Sequence, residues 1–176
     1  MSVSFVNGDL VEQKGVDAIV HQVNCLTVKA HGLSQYIADC FPWADIYATR
    51  RPIKNLDLAV PEDRCEPGTI KVFMNPKDDG DVPAVICLLA QLDDGNGRGR
   101  SRDRRPHEDT AERREEWFVH SLNCIAQQHD FKTLAFPYRI GCGMAGGNWS
   151  KYLGHIRDFA LHTGIDCRIV KPMSPR

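Results

Sequence analysis

The chain has 176 residues, enough for one domain whose core needs no disulfide or metal staple. Its net charge of -1 excludes an electrostatic grip of the whole surface on nucleic acid or membrane. No apolar run approaches membrane-spanning length, and the start, Met1 to Val6, lacks the pattern of a signal peptide.

Val3 to Val6 alternates and meets Asn7-Gly8-Asp9, a turn signal, so it reads as a short strand. Asp9 can cap the following turn or bind a ligand, and capping is the commoner use of such an Asp. Asp17 to Val23 is almost continuously apolar, as in a central strand covered on both faces. It runs into Asn24 to Gly32, after which Leu33, Tyr36, Ile37 and Cys40 fall on one face of a helix that stops before Pro42. Trp43 to Arg51 reads as a further short helix and Asn55 to Pro67 as a surface connection. Gly68 to Met74 and Val82 to Ala90 read as strands around a polar turn, the second of them central.

Gln91 to Asp109 is the low-complexity stretch, and its glycines and like charges predict a mobile loop over 93–108. Arg98 to Arg105 carry three readings: a solvated loop, closure over a diphosphate, or a local contact to nucleic acid. Asp109 and Glu112 predict a helix cap with its return partner. Phe118, Ser121, Leu122 and Ile125 then form the buried face of a helix ending near Gln128. A strand, Thr133 to Phe136, feeds the glycine-rich stretch Phe136 to Trp149. Next come a helix with Trp149, Tyr152, Leu153, Ile156 and Ala160 on one face, a strand over Cys167 to Val170, and a tail, 172–176, expected to be disordered. The alternation implies an α/β fold, a three-layer α/β/α sandwich with a mixed, largely parallel central sheet, as one domain over 1–171.

Two strand-loop-helix units therefore aim loops at the carboxyl ends of strands, where ligand crevices form. Gly32 in one loop and Gly141, Gly143, Gly146 and Gly147 in the other leave backbone N–H groups bare, so a diphosphate can be held without a lysine. There is no Gly-x-x-x-x-Gly-Lys-Ser/Thr, which disfavours a P-loop NTPase. No Gly-x-Gly-x-x-Gly follows the first strand, which disfavours a dinucleotide dehydrogenase.

Three ordered motifs, Asn7 to Leu10, Asp17 to Cys25 with its Gly32 loop, and Phe136 to Trp149, resemble those of the macrodomains, the ADP-ribose-binding fold, over nearly the whole chain. His21 to Cys25 and Gly141 to Trp149 are similar to the branch containing terminal ADP-ribose protein glycohydrolases and ADP-ribose 1''-phosphate phosphatases. The resemblance implies Asp9 as acceptor for the adenine amino group with Leu10 beside it, and Asn24 on the distal ribose. It implies Gly32, Leu33 and Ser34 as one wall of the diphosphate site and Gly141, Cys142, Gly143, Met144 and Ala145 as the other, with Tyr138 and Ile140 near the adenosine. The partner implied is ADP-ribose or an ADP-ribosylated substrate, with no cofactor.

The chain also departs from that pattern. Lys29-Ala30-His31 stands where a bare glycine loop is usual, so either the loop is displaced or His31 contacts the ligand. Ala145 stands where the glycohydrolases have an Asp. Their nucleophilic lysine aligns with Met74, and Lys71 is off register. Asn148 replaces an Asp and reads as a helix cap.

Candidate catalytic residues are Asn24, His31 and His21. A strand-end histidine such as His21 is commonly structural, and His31 in the loop can move a proton near neutrality. Asn24 can donate to and accept from ribose hydroxyls. Cys142 is either a thiol activated by a helix N-terminus or a small residue that fits its loop. His107, His120, His129, His155 and His162 lack ligand spacing, so no metal is expected. Seven scattered cysteines without a Cys-x-x-Cys pair point to reduced thiols inside the cell, in cytoplasm or nucleus. A monomer with no membrane contact is expected. Two functions remain open: hydrolysis of a distal-ribose substituent, as an ADP-ribose 1''-phosphate or an ADP-ribosyl ester, and non-catalytic reading of ADP-ribose or a related nucleotide.

Overall fold

The computed structural model describes residues 2–77, 81–95, 109–128 and 130–173. Six strands, β1 (Val3–Asn7), β2 (Ala18–Asn24), β3 (Ile70–Met74), β4 (Ala84–Gln91), β5 (Thr133–Pro137) and β6 (Asp166–Lys171), form one sheet in the order β1-β6-β5-β2-β4-β3. Every pairing is parallel except β3 with β4. The expected three-layer α/β/α arrangement is therefore present. The helices are α1 (Gly32–Cys40), α2 (Ala111–Gln128) and α3 (Trp149–Thr163). None among the described residues is long and apolar enough to cross a membrane.

The period-two alternation of a strand divides the core. Ala84, Ile86, Leu88 and Ala90 of β4 pack with Phe118 and Leu122 of α2 and with Tyr152 and Ile156 of α3. The alternate β4 residues Val85, Cys87 and Leu89 face the other layer, which contains Ile37 of α1 and Leu26, Ile46 and Tyr47 from the connections. That double covering is why β4 and β2 read as continuous apolar runs.

Trp43 to Arg51 is not the expected helix but two 3-10 turns, Pro42–Ala44 and Tyr47–Thr49. Of the residues expected on the buried face of α1, Ile37 is buried, together with Ala38, while Cys40 is exposed at the helix end. The cap of α2 is Thr110, whose Oγ1 accepts from Arg113 N at 3.2 Å. Asp109 turns away to pair with Arg114. Asn148 caps α3 as expected, accepting from Lys151 N at 3.3 Å. Arg98 to Arg105, His107, His129 and 174–176 lie outside the described residues, as does most of the loop over 93–108.

Candidate functional site

A cleft of about 790 Å³ opens at the carboxyl ends of β2, β4 and β5, a volume suited to a nucleotide-sized ligand. Gln22 and Gln91 line it from the strands, Gly32, Leu33 and Tyr36 from α1, and Pro137 to Gly141 with Gly143, Met144 and Ala145 from the glycine-rich loop. Of the residues named from the sequence, it gathers Gly32, Leu33, Tyr138, Ile140, Gly141, Gly143, Met144 and Ala145. Asp9, Leu10, His21, Asn24, His31, Ser34 and Cys142 are not on its lining.

The glycine-rich loop is folded by internal bonds that include Cys142 N to Arg139 O, Gly146 N to Gly143 O and Gly147 N to Gly141 O, at 2.9, 3.1 and 2.9 Å. The N–H groups of Gly141, Gly143, Met144 and Ala145 donate to nothing among the described residues. Two glycines are obligatory for steric reasons. A Cβ on Gly141, whose φ is +71°, would stand 2.6 Å from Tyr152 Cε2, and one on Gly147 would stand 2.5 Å from Gly141 O. Across the cleft, α1 starts at Gly32 and brings the unpaired first-turn N–H groups of a helix N-terminus. Tyr138 is steadied by an edge contact to Trp149 at 5.3 Å and by Lys171 Nζ, 5.3 Å from its ring centroid.

The loop over residues 24–31 is braced from behind. Asn24 Oδ1 accepts from Leu26 N at 3.0 Å and Thr27 N at 2.9 Å, and Nδ2 donates to Thr27 Oγ1 at 3.0 Å. The carboxamide expected on the distal ribose is thus spent on an Asx turn and buried. Buried Arg50 donates to Thr27 O and Asn24 O, both at 2.7 Å, and stacks 4.8 Å from the ring centroid of Tyr47. Asp57 Oδ1 accepts from Val28 N and Lys29 N, both at 2.9 Å. His31, exposed, places Nε2 3.5 Å from Asp57 Oδ2 instead of in the cleft.

The other expected catalysts are also placed elsewhere. His21 is buried, with Nδ1 3.1 Å from Ser34 Oγ and Nε2 3.3 Å from Cys87 Sγ, so the two side chains of His21 and Ser34 bind each other and neither lines the cleft. Burial lowers the His21 pKa to about 4. Cys142 is buried with Sγ donating to Ile140 O at 3.2 Å, and burial pushes its thiol up to about 11, the opposite of activation. Asp9 caps the turn that follows it through Val11 N at 3.1 Å and accepts from Tyr36 OH at 2.5 Å. It therefore orients a cleft residue from behind, while Leu10 is core. Met74 ends the antiparallel strand β3 opposite Ala84, at the far end of the sheet from the cleft.

The strand end that does reach the cleft on that side is Gln91 of β4. Asp93 O can only accept, so Gln91 turns Nε2 to it at 3.0 Å and offers Oε1 to Gln22 Nε2 at 2.8 Å. Gln22 Oε1 is left buried beside Gly141 without a hydrogen-bond partner among the described residues. Sequence reasoning missed this amide pair, although a polar residue closing an apolar strand at its carboxyl end was the available signal. It also missed Arg114, whose Nη1 donates to Ala145 O at 3.2 Å and ties the glycine-rich loop to α2.

No family model matches this chain, and no curated protein matches it in sequence. Solved structures do match it in fold. The macrodomain of Mycobacterium tuberculosis DarG, 17% identical, covers 96% of this chain and 97% of its own with a TM-score of 0.69. The macrodomain of Thermus aquaticus DarG, 19% identical, covers 99% of both chains with a TM-score of 0.67. An Oceanobacillus iheyensis macrodomain solved with ADP, 14% identical, covers 98% of this chain and 83% of its own with a TM-score of 0.58. The chain therefore has the macrodomain fold.

Proposed function

We propose that the cleft binds ADP-ribose or a closely related adenosine diphosphate ligand. The observation that carries this reading is the presence of two sets of unpaired backbone N–H groups, at Gly141, Gly143, Met144 and Ala145 and at the start of α1, on residues lining one cleft. Such N–H groups stabilise phosphate oxygens without a lysine. The fold supports the same ligand class, since a macrodomain of this fold has been solved with ADP.

Of the two activities open to such a site, binding without turnover has the better support. The described lining residues include no carboxylate, imidazole or ammonium group and no thiol. Removal of a 1''-phosphate or an ADP-ribosyl ester would have to draw its proton acceptor from the substrate's own diphosphate. His21, His31 and Asn24 are each held by partners outside the cleft.

Calorimetric titration with ADP-ribose, followed by turnover assays on ADP-ribose 1''-phosphate and on protein ADP-ribosylated at Glu, tests the reading. The expected result is binding without product release. Absence of binding at high micromolar ligand sinks the ligand assignment, and turnover of either substrate selects the hydrolase.

A further inference from the structure

Arg139 is the only charged side chain lining the cleft among the described residues. It is exposed and makes no hydrogen bond or ion pair through its guanidinium there. Its backbone is left-handed, with φ +62°, inside two overlapping turns closed by Ile140 N to Pro137 O at 3.1 Å and Cys142 N to Arg139 O at 2.9 Å. Almost every other positive φ among the described residues belongs to a glycine, the exception being Lys54. Glycine adopts that conformation at little cost, and a residue with a Cβ does so under strain. Among the described residues, the strained residue is also the one cation lining the cleft, and no carboxylate lines it. An uncompensated guanidinium beside unpaired N–H groups gives the cleft a positive potential, and its planar fork matches phosphate oxygens.

We propose that Arg139 reads the charge of the ligand, setting its guanidinium on a phosphate of the nucleoside diphosphate and giving the cleft its preference for anionic over neutral adenosine ligands. The proposal rests on the ADP-ribose reading and adds a side-chain contact to the backbone cradle.

The test titrates the full chain, as wild type, Arg139→Gln and Arg139→Gly, with ADP-ribose, inorganic pyrophosphate and adenosine at about 50 and about 200 mM salt. Both variants are expected to lose about tenfold in affinity for ADP-ribose and pyrophosphate, the loss of one charge-assisted contact. They should keep adenosine binding and show a shallower salt dependence. The Gly variant should unfold at or above the wild-type temperature, because the left-handed strain is relieved. Equal affinity of wild type and variants for ADP-ribose overturns the role of Arg139 alone. A parallel loss of adenosine binding overturns it too, since a merely structural residue would weaken all ligands together. Wild type that binds pyrophosphate but not ADP-ribose overturns the nucleotide reading and leaves the charge role standing, and wild type that binds neither overturns both.

Discussion

Arg114 and Asp109 form a buried two-point ion pair, with Nε 2.6 Å from Oδ1 and Nη2 2.8 Å from Oδ2, and side chains 1% and 5% exposed. The remaining Arg114 contacts go to carbonyls: Gly95 at 2.7 Å, Asp93 at 3.0 Å and Ala145 at 3.2 Å. Asp109 in turn accepts from Asp93 N at 2.9 Å and Leu92 N at 3.4 Å. One guanidinium thereby fixes the exit of β4 and the glycine-rich loop relative to each other, so a cleft wall depends on a residue outside the cleft.

Arg114→Met is expected to destabilise the fold by about 3–5 kcal/mol, because the Asp109 carboxylate stays buried without its cation. Arg114→Lys should recover only part of this, since an ammonium cannot make the two parallel bonds or reach three carbonyls at once. Urea denaturation of the three proteins measures it, and a Lys variant as stable as wild type would show that charge alone suffices.

The glycines of the cleft separate by their surroundings. Gly141→Ala and Gly147→Ala place a methyl against Tyr152 and against the Gly141 carbonyl, and should each cost about 1–3 kcal/mol. Among the described residues no atom lies within 4 Å of the would-be Cβ of Gly143, so Gly143→Ala should stay within about 0.5 kcal/mol of wild type. Thermal denaturation of the three variants shows the contrast, and an equal loss at all three positions would contradict the packing around Tyr152.

The layers of the fold were legible because β2 and β4, buried on both faces, write continuous apolar runs, and α2 and α3 write helical stripes. Arg114 itself falls on the stripe of Phe118, Ser121, Leu122 and Ile125, a signal hidden because a charged residue is almost never buried unless paired. At the site, the loops were legible through their glycines, whereas the directions of side chains were not. Asn24 has the right chemistry for a ribose, yet its own turn consumes the carboxamide three residues on. His21 is decided by Ser34 and by Cys87, which is 66 residues away in sequence. Gln91 lies outside the three motifs, and Arg139 lies inside one as a residue given no role there; the sheet order and the turn geometry bring them to the cleft.

Asn24→Ala tests the structural role of that carboxamide. Two buried backbone N–H groups, of Leu26 and Thr27, lose their acceptor, a loss of about 1–3 kcal/mol. Asn24→Asp retains the acceptor oxygen and should be milder. Chemical denaturation gives the ranking, and an Ala variant of unchanged stability that lost ligand affinity would return Asn24 to the ribose.

The buried imidazole of His21 gives the fold a pH dependence whose sign is set by its lowered pKa. Desolvation holds the folded-state value at about 4, against an ordinary 6.5. Between those two values the unfolded chain binds a proton that the folded chain refuses. The contribution of His21 is therefore full above about pH 6.5, declines as pH falls toward 4 and levels below it, with a total of the order of 3 kcal/mol. Urea denaturation of wild type and His21→Phe at steps between pH 7.5 and pH 4 isolates this group from the carboxylates that titrate in the same range. The variant is expected to lose less stability over that interval than wild type. A variant with the wild-type slope would place the acid sensitivity elsewhere. Because the imidazole is neutral at physiological pH, any turnover should also lack an inflection near pH 6.5 that disappears in His21→Phe.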